Sequence, residues 1–269
     1  MVLSAVLADL SGTLHVGGSA LPGAAAALAR LRQHPSLEVR FVTNTTKDTT
    51  SNLVRLLQAM DFDIQQHEVF SSLRAAKKLI QDQQLRPLLL LHPDALPEFD
   101  GIDCCQPNAV VMGLAQQAFS YDSMNATFRL LLQQPQAPLI AIHKAKYYKA
   151  ADGQLALGPG PYAAALEFAT GRTAQAASDS TWPVLILCAC CPVQVVGKPQ
   201  PSFFQLALDD LQVPPEAAVM VGDDVCDDVG GAMACGMAGL FAAVQTGKYL
   251  PGDEISSFKG ARACSRLLQ

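Results

Sequence analysis

The chain has 269 residues, half of them hydrophobic, and a formal net charge of -5 with a sequence pI near 5.5. This length suffices for one large or two ordinary domains, and we expect two. The chain is acidic and no basic stretch is interleaved with aromatic residues, which excludes the usual pattern of a nucleic-acid-binding protein. We therefore predict a small-molecule partner and no nucleic acid.

Targeting and redox signals in the sequence favour a reducing cytosol. No cationic segment precedes the first apolar run, which Asp9 interrupts too early for a signal peptide. The 8 cysteines are too sparse for a disulfide scaffold. The longest apolar stretch begins at Trp182, contains prolines and is shorter than the roughly 20 residues of a membrane-spanning helix. We predict a cytoplasmic protein without a membrane segment.

Short apolar runs alternate with helical patterns along the whole chain. In chain order the runs are AVLAD, VRFVTN, LLLLH, AVVMGL, LIAIH, VVGK, AVMVGD and GLFAAV. Helices are predicted between them at GAAAALARLRQ after Pro22, TTSNLVRLLQAM, GPYAAALEFAT and PSFFQLALDDL. Parallel neighbours cannot be joined by a hairpin, so this alternation predicts parallel strands with crossover helices and an α/β fold.

Polar residues that carry chemistry follow several of the apolar runs. In parallel sheets the binding crevice lies beyond the carboxyl ends of the strands, where loops and helix N-termini converge. The residues at these ends are Asp9, Thr43, Asn44, Lys198, Asp223 and Asp224, with Asp227 and Asp228 in the next loop. Carboxylates, a hydroxyl and a lysine are thus expected to meet at one edge.

Crowded carboxylates repel one another, so either a cation lies among them or their pKa values rise. Oxygen-only ligands without a nearby histidine select a hard ion, and Mg²⁺ is the usual one. With Mg²⁺ and Lys198 supplying positive charge, a phosphate dianion can approach Asp9, while Thr43 and main-chain N–H groups hold its other oxygens. Attack by Asp9 on phosphorus would then give an aspartyl-phosphate that water hydrolyses, as in a phosphatase.

The ordered motifs resemble those of the haloacid dehalogenase (HAD) superfamily. They are DLSGT from Asp9, Thr43 in FVTN, Lys198 in VVGKP and GDDVCDD from Gly222. One such motif alone is weak, but four in sequence, each after an apolar run, make coincidence improbable. The resemblance spans nearly the whole chain. It implies a Rossmann-like parallel-sheet core with an inserted α/β cap domain of the C2 type.

The resemblance also implies roles for individual residues and a domain division. Asp9 would be the nucleophile and a Mg²⁺ ligand, Ser11 would offer its main-chain carbonyl to the metal, and Asp223 would complete the protein ligands with support from Asp228. The substrate phosphoryl group would contact Asp9, Leu10, Ser11, Thr43, Asn44 and Lys198. The core would comprise residues 1–73 and 191–269, and the cap residues 74–190.

Ser11 departs from the superfamily's usual pattern, in which the second residue after the nucleophile is an Asp that acts as general acid. An alcohol is too weak an acid for this role, and general acid catalysis typically contributes about 10²- to 10⁴-fold. The nucleophile, metal and lysine remain. Substrates whose leaving group departs without a proton, namely pyrophosphates, aryl phosphates and phosphoramidates, should therefore suffer least, and alkyl phosphates should be poor.

Several residues keep two interpretations. Asp224 and Asp227 are as well explained by the helix dipole, which favours acidic residues at a helix N-terminus, as by metal binding. The stretch HKAKYYK could line the mouth of the cap through Tyr147 or Tyr148, or form a solvated charged turn. His15 and His92 receive no role. Cys188 and Cys191 lack a second pair at ligand spacing, so zinc is not expected.

Residues 171–194 are an atypical insertion relative to the superfamily, and the tail after Glu254 is short. The insertion directly precedes Lys198, so activity is more in question than fold.

A nicotinamide-dependent oxidoreductase is disfavoured because DLSGTL stands where a Gly-x-Gly-x-x-Gly turn would follow the first strand. The serious rival is a non-catalytic HAD-like protein that binds Mg²⁺ or a phospho-ligand as an interaction module. The physiological substrate stays open, as does a homodimer through exposed cap strands.

Overall fold

A computed structural model describes residues 3–149, 154–171, 194–241 and 262–263 of this chain. The atypical insertion and the tail after Glu254 fall almost entirely outside these described residues. The chain divides into two compact units. The first unit comprises Met1–Asn44, Thr50–Ala75 and Gly197–Gln269, and the second comprises Thr45–Thr49 and Ala76–Val196.

Strands and helices alternate in both units, as the sequence pattern predicts. The strands are β1 (Ala5–Ala8), β2 (His15–Val16), β3 (Ser19–Ala20), β4 (Glu38–Thr43), β5 (Val69–Ser71), β6 (Pro87–Leu90), β7 (Ala109–Met112), β8 (Leu139–Ala141), β9 (Tyr147–Lys149), β10 (Leu155–Leu157), β11 (Gln194–Val195), β12 (Ala218–Gly222), β13 (Ala238–Phe241) and β14 (Arg262–Ala263). The α-helices are α1 (Ala24–Arg32), α2 (Thr50–Ala59), α3 (Ser72–Asp82), α4 (Tyr121–Gln133), α5 (Pro159–Thr170), α6 (Pro201–Leu211) and α7 (Gly231–Ala234).

The first unit is organised around a six-stranded parallel sheet with the order β14-β13-β12-β1-β4-β5. The chain enters at β1, adds β4 and β5 on one side, and later adds β12, β13 and β14 on the other. Strand order therefore reverses at β1, and such a switch point is where α/β sheets form their binding crevice.

The core of the first unit explains why these segments become strands and helices. All four residues of β1 are buried, as expected for a central strand covered on both faces. Helix α2 buries Leu53, Val54 and Leu57 at helical spacing, and these side chains join Phe41 of β4 in one apolar cluster. Burial of this apolar surface holds the helix against the sheet.

The second unit contains a four-stranded parallel sheet with the order β11-β8-β7-β6. Its core includes Val110, Met112 and Leu139 from the strands and Leu131 from α4. A separate two-stranded antiparallel sheet is formed by β9 and β10. The predicted α/β class, with a parallel-sheet core and an inserted α/β unit, is confirmed by this architecture.

One strand lies in a different sheet from the one we expected. We expected the run VVGK to deliver Lys198 from the core sheet, but β11 pairs with β8 of the second unit and ends at Val195. Lys198 instead lies in the turn that leads from β11 into α6. No helix in the described part of the chain combines the length and apolarity needed to cross a membrane.

Candidate active site

Three neighbouring strands of the first sheet end at residues that the sequence singles out. Asp9 directly follows β1, Thr43 is the last residue of β4, and Asp223 directly follows β12. Strands β4 and β12 flank β1 on its two sides. All three side chains are buried, with relative exposures of 4%, 2% and 2% in that order. The parallel register therefore brings two carboxylates and a hydroxyl to the same end of the sheet.

A third carboxylate, that of Asp228, completes a compact acidic cluster. One carboxylate oxygen each from Asp9, Asp223 and Asp228 lies within 4.8 Å of the others. Asp228 is 1% exposed and follows β12 by six residues, in the segment Val225–Gly230, which forms a short π-helix. Removal of three like charges from water is costly unless positive charge is close.

Lys198 supplies part of that positive charge. Its Nζ donates hydrogen bonds to Asp9 Oδ1 at 2.5 Å and to Asp228 Oδ1 at 2.6 Å. Burial acts to lower the pKa of Lys198, but the adjacent carboxylates of Asp228 and Asp9 outweigh it, and the pKa lies above its ordinary value. The lysine therefore remains an ammonium at neutral pH.

The pKa of Asp228 also lies above its ordinary value, but for a different reason. Burial raises its pKa to about 6, against the lowering effect of Lys198, and the nearby charge of Asp9 adds to the rise. Its second oxygen, Oδ2, accepts a hydrogen bond from the main-chain N–H of Asp224 at 3.1 Å. Asp228 is thus oriented by one amine and one main-chain donor.

Asn44 contacts Lys198 through the main chain of the lysine. The Asn44 Nδ2 donates to the Lys198 carbonyl at 2.9 Å, and the Lys198 N–H donates to Asn44 Oδ1 at 2.9 Å. We expected Asn44 to bind the phosphoryl group. In the structure both ends of its side-chain amide bond to the main chain of Lys198, and the phosphoryl contact stays a prediction.

Two glycines make room for the carboxylates, and sequence reasoning did not single them out. A Cβ on Gly12 would lie 2.1 Å from Asp223 Oδ2, and Gly12 has a φ of +101°. A Cβ on Gly222 would lie 2.1 Å from Asp228 Oδ2. No L-residue fits either gap without displacing a carboxylate. The available signal was the position of each glycine inside DLSGT and GDD.

The structure separates the two interpretations of Asp224. Its Oδ1 accepts hydrogen bonds from the main-chain N–H groups of Cys226 and Asp227, at 2.9 and 2.8 Å. Asp224 is therefore the N-cap of the short helical segment, which satisfies donors that would otherwise lack partners. It does not belong to the three-carboxylate cluster.

Leu10 and Ser11 differ in what they can offer a substrate. The Leu10 side chain is buried in the core cluster, and its carbonyl accepts the N–H of Leu14 at 2.8 Å. Any substrate contact of Leu10 would therefore come from its main-chain N–H. Ser11 is exposed, and the next N–H, that of Gly12, donates to the carbonyl of His15 at 2.8 Å, which closes a tight loop after Asp9.

Two other residues that the sequence singles out, His15 and Tyr148, have polar partners of their own. His15 Nδ1 is 2.8 Å from the carbonyl of Gly17 within the β2–β3 hairpin. Tyr147 and Tyr148 belong to the second unit, where Gln116 donates to the Tyr148 hydroxyl. Cys188 and Cys191 lie outside the described residues.

The residues of the cluster fit a divalent cation. Three carboxylates and one ammonium leave two excess negative charges, which a divalent ion would neutralise. The donors are oxygens only, as Mg²⁺ prefers, and the cluster contains no histidine or cysteine. Asp9, Asp223 and Asp228 are therefore the side chains able to hold such an ion.

This fold, with a buried acidic cluster and a lysine at the sheet's switch point, defines a HAD-like hydrolase. The chain belongs to the haloacid dehalogenase-like hydrolase family: residues 6–104 match the family described as haloacid dehalogenase-like hydrolase, and residues 195–269 match the one described as HAD-hydrolase-like. The resemblance inferred from the motifs is confirmed.

Individual proteins support the same assignment. The chain is 51% identical over 253 residues to haloacid dehalogenase-like hydrolase domain-containing protein 2 of Rattus norvegicus, covering 94% of this chain and 88% of that protein. It is 42% identical over 255 residues to phospholysine phosphohistidine inorganic pyrophosphate phosphatase of Danio rerio, with coverages of 93% and 85%. The crystal structure of a 4-nitrophenylphosphatase from Thermotoga maritima shares the fold, with a TM-score of 0.81, 23% identity and coverages of 99% and 95%.

Proposed function

We propose that this protein is a Mg²⁺-dependent phosphohydrolase that acts through an aspartyl-phosphate on a small phosphorylated substrate. The observation that carries the proposal is the buried cluster of Asp9, Asp223 and Asp228 around the Lys198 ammonium. Family membership supports hydrolysis, and the name of the Danio rerio relative supports a phosphoryl group as the part transferred.

Each residue of the site would have a separate role in the reaction. A bound Mg²⁺ would neutralise charge between the carboxylates and the phosphoryl oxygens. Asp9 would attack phosphorus, and water would later hydrolyse the acyl phosphate. Lys198 would stabilise charge on the phosphoryl oxygens, since its ammonium already lies 2.5 Å from the Asp9 carboxylate. Thr43, buried at the end of β4, would donate to the same group.

Ser11 restricts the class of substrate. It stands where the superfamily usually has a general acid, and its hydroxyl cannot protonate an alkoxide leaving group at useful rates. We propose a preference for leaving groups that depart without a proton, such as pyrophosphate, aryl phosphates and phosphoramidates. The name of the Danio rerio relative contains leaving groups of this kind, and the sequence of our chain has the Asp-x-Ser-Gly pattern at Asp9.

Turnover across aryl phosphates of graded leaving-group pKa tests this preference. We expect the rate to fall steeply as that pKa rises, and Ser11→Asp to flatten the slope and raise alkyl phosphate turnover by about 10²- to 10⁴-fold. Ser36→Asp, which adds the same charge at another exposed serine, is the control. Equal shallow slopes for the wild-type chain and Ser11→Asp would refute the serine argument.

A non-catalytic role is the second candidate, and the missing general acid at Ser11 is the observation that favours it. Such a protein would bind Mg²⁺ or a phospho-ligand without turnover. Beryllium fluoride with Mg²⁺ mimics an aspartyl-phosphate, and a thermal shift reports its binding. A chain that binds this analogue yet releases no phosphate from any activated substrate belongs to the second class.

A further inference from the structure

Lys198 does not belong to a β-strand. Strand β11 ends at Val195, and α6 begins at Pro201, so Lys198 lies in the connecting turn. Within that turn the N–H of Gln200 donates to the carbonyl of Gly197 at 3.0 Å. The main-chain groups of Lys198 itself bond to Asn44, a residue 154 positions away.

The Asn44 amide satisfies both main-chain groups of one residue at once. Its donor and acceptor meet the Lys198 carbonyl and N–H at equal distances of 2.9 Å, as a neighbouring strand would. Buried main-chain polar groups are almost always paired, and here a side chain replaces the missing ladder partner. Two hydrogen bonds restrict translation and tilt of the Lys198 peptide in a way that one bond does not.

The residue after Lys198 is restrained from another side. A Cβ on Gly231, the first residue of α7, would lie 2.5 Å from the carbonyl oxygen of Pro199, which shows how closely the two backbones approach. The Lys198–Pro199 segment is therefore clamped between the Asn44 amide and the start of α7. The lysine side chain then reaches Asp9 and Asp228 from a fixed base.

We propose that Asn44 is a positioning residue for Lys198: its amide sets the main-chain position from which the ammonium reaches between Asp9 and Asp228. The consequence for turnover rests on the proposed function, while the restraint on Lys198 does not. A shift of about 1 Å in a reacting geometry can cost 10²-fold in rate. Asn44→Ala should therefore lower kcat by roughly 10- to 100-fold, with a smaller change in KM.

The restraint can be measured without catalysis, by labelling amines with an N-hydroxysuccinimide ester and quantifying peptides by mass spectrometry. In the wild-type chain Lys198 is 5% exposed and should label slowly. Asn44→Ala should raise Lys198 labelling by about 10-fold, the scale on which a lost pair of side-chain hydrogen bonds opens a segment. Lys144, paired with Glu167 at 2.7 Å in the second unit, is the internal reference and should not change.

A matched control is Asn108→Ala, which also removes a side-chain bond to a main-chain group, the 2.7 Å bond from the Arg86 N–H. It should leave Lys198 labelling at the wild-type rate. If Asn44→Ala raises labelling of Lys144 too, or loses part of the thermal unfolding transition of the wild-type chain, one or both units have lost their fold, and Asn44→Asp replaces it. Asn44→Asp keeps an oxygen that can accept from the Lys198 N–H but loses the amide N–H that donates to the Lys198 carbonyl. Lys198 should therefore label faster than in the wild-type chain, while Lys144 should not.

The outcomes separate the positioning role from the proposed function. Unchanged Lys198 labelling in Asn44→Ala, with Lys144 protected, would overturn the positioning role. The same holds for Asn44→Asp if the alanine variant unfolds. A wild-type chain that hydrolyses no activated phosphate would overturn the proposed function, while faster Lys198 labelling in Asn44→Ala would still support the positioning role. A KM increase without a fall in kcat would point to direct phosphoryl binding and contradict our assignment.

Discussion

The two units are built from the same parts and differ in the residues that end their strands. In the first unit, the central strands end at Asp9, Thr43 and Asp223. In the second, β6, β7 and β8 are followed by Leu91, Gly113 and Ile142, all of them buried. Both units have parallel sheets with apolar cores, but within the described residues only the first holds a group of three potential metal ligands.

A parallel α/β sheet thus provides a place for an active site at the ends of its strands, but it does not determine which residues stand there. Hydrophobic burial specifies the sheets in both units, and it is indifferent to which residue comes after a strand. Under the proposed function, activity depends on the few polar side chains placed at one edge, where Lys198 compensates part of the charge of Asp9 and Asp228. Substitutions confined to one unit test this difference.

Removal of Asp9, the proposed nucleophile, should have the largest effect. Asp9→Asn should lower phosphate release from an aryl phosphate by more than about 10³-fold, since an amide cannot form the acyl phosphate. Asp63→Asn, an exposed carboxylate of the same unit, should retain full activity. Comparable activity in Asp9→Asn would exclude this residue as the nucleophile.

A cavity in the second unit should cost stability without touching the cluster. Leu139 is fully buried in the core of that unit, so Leu139→Ala should lower the free energy of unfolding by about 2–5 kcal/mol in chemical denaturation. Leu132→Ala, at a side chain that is 52% exposed, should have little effect. Loss of Mg²⁺ binding in Leu139→Ala under folding conditions would show that the units do not act separately.

Metal binding should stabilise the protein through the first unit. At a Mg²⁺ concentration 100 times its Kd, stabilisation should reach about 2.7 kcal/mol, read as a rise in Tm. Asp223→Asn should abolish the rise, because one of the three carboxylates able to hold the ion is lost. Asp209→Asn, an exposed carboxylate on α6, should keep it. An unchanged rise in Asp223→Asn would remove this residue from the ligand set.

The smallest expected effect comes from the glycine beside Asp223. Gly12→Ala should destabilise the chain by about 1–3 kcal/mol, because φ is +101° and the new methyl would collide with the Asp223 carboxylate. The Mg²⁺-dependent rise in Tm should shrink with it. Gly18→Ala, where a Cβ would meet nothing within 4 Å, should leave both quantities unchanged.

Much of the first unit was predictable because strong local signals and the motif order agree. The runs at β1, β4, β12 and β13 are strands, and the helices after Pro22 and Thr49 form as expected. Strand β5 escaped prediction because its three residues, Val69–Ser71, are too few to show a period. The predicted roles of the site residues stay predictions, as do the cap boundaries and the cytoplasmic location.

Contacts between residues that are far apart in the sequence were harder to predict. Asn44 reads as a substrate ligand because it follows Thr43 in the motif, and only the fold reveals its two bonds to Lys198. The composition of the run VVGK predicts a strand, and the motif order suggests the core sheet. Composition cannot indicate which sheet has a free edge for that strand to join. In the structure that edge belongs to β8.

The sequence by itself determined the α/β class, the family and the identity of the residues that carry charge, since these depend on local periodicity and motif order. Tertiary structure decided which charges meet. Asp9 and Lys198 are 189 positions apart in the sequence, yet Lys198 Nζ lies 2.5 Å from Asp9 Oδ1. Gly12 and Gly222 leave room for the carboxylates beside them. Such contacts depend on strand order and backbone approach, which no local pattern encodes.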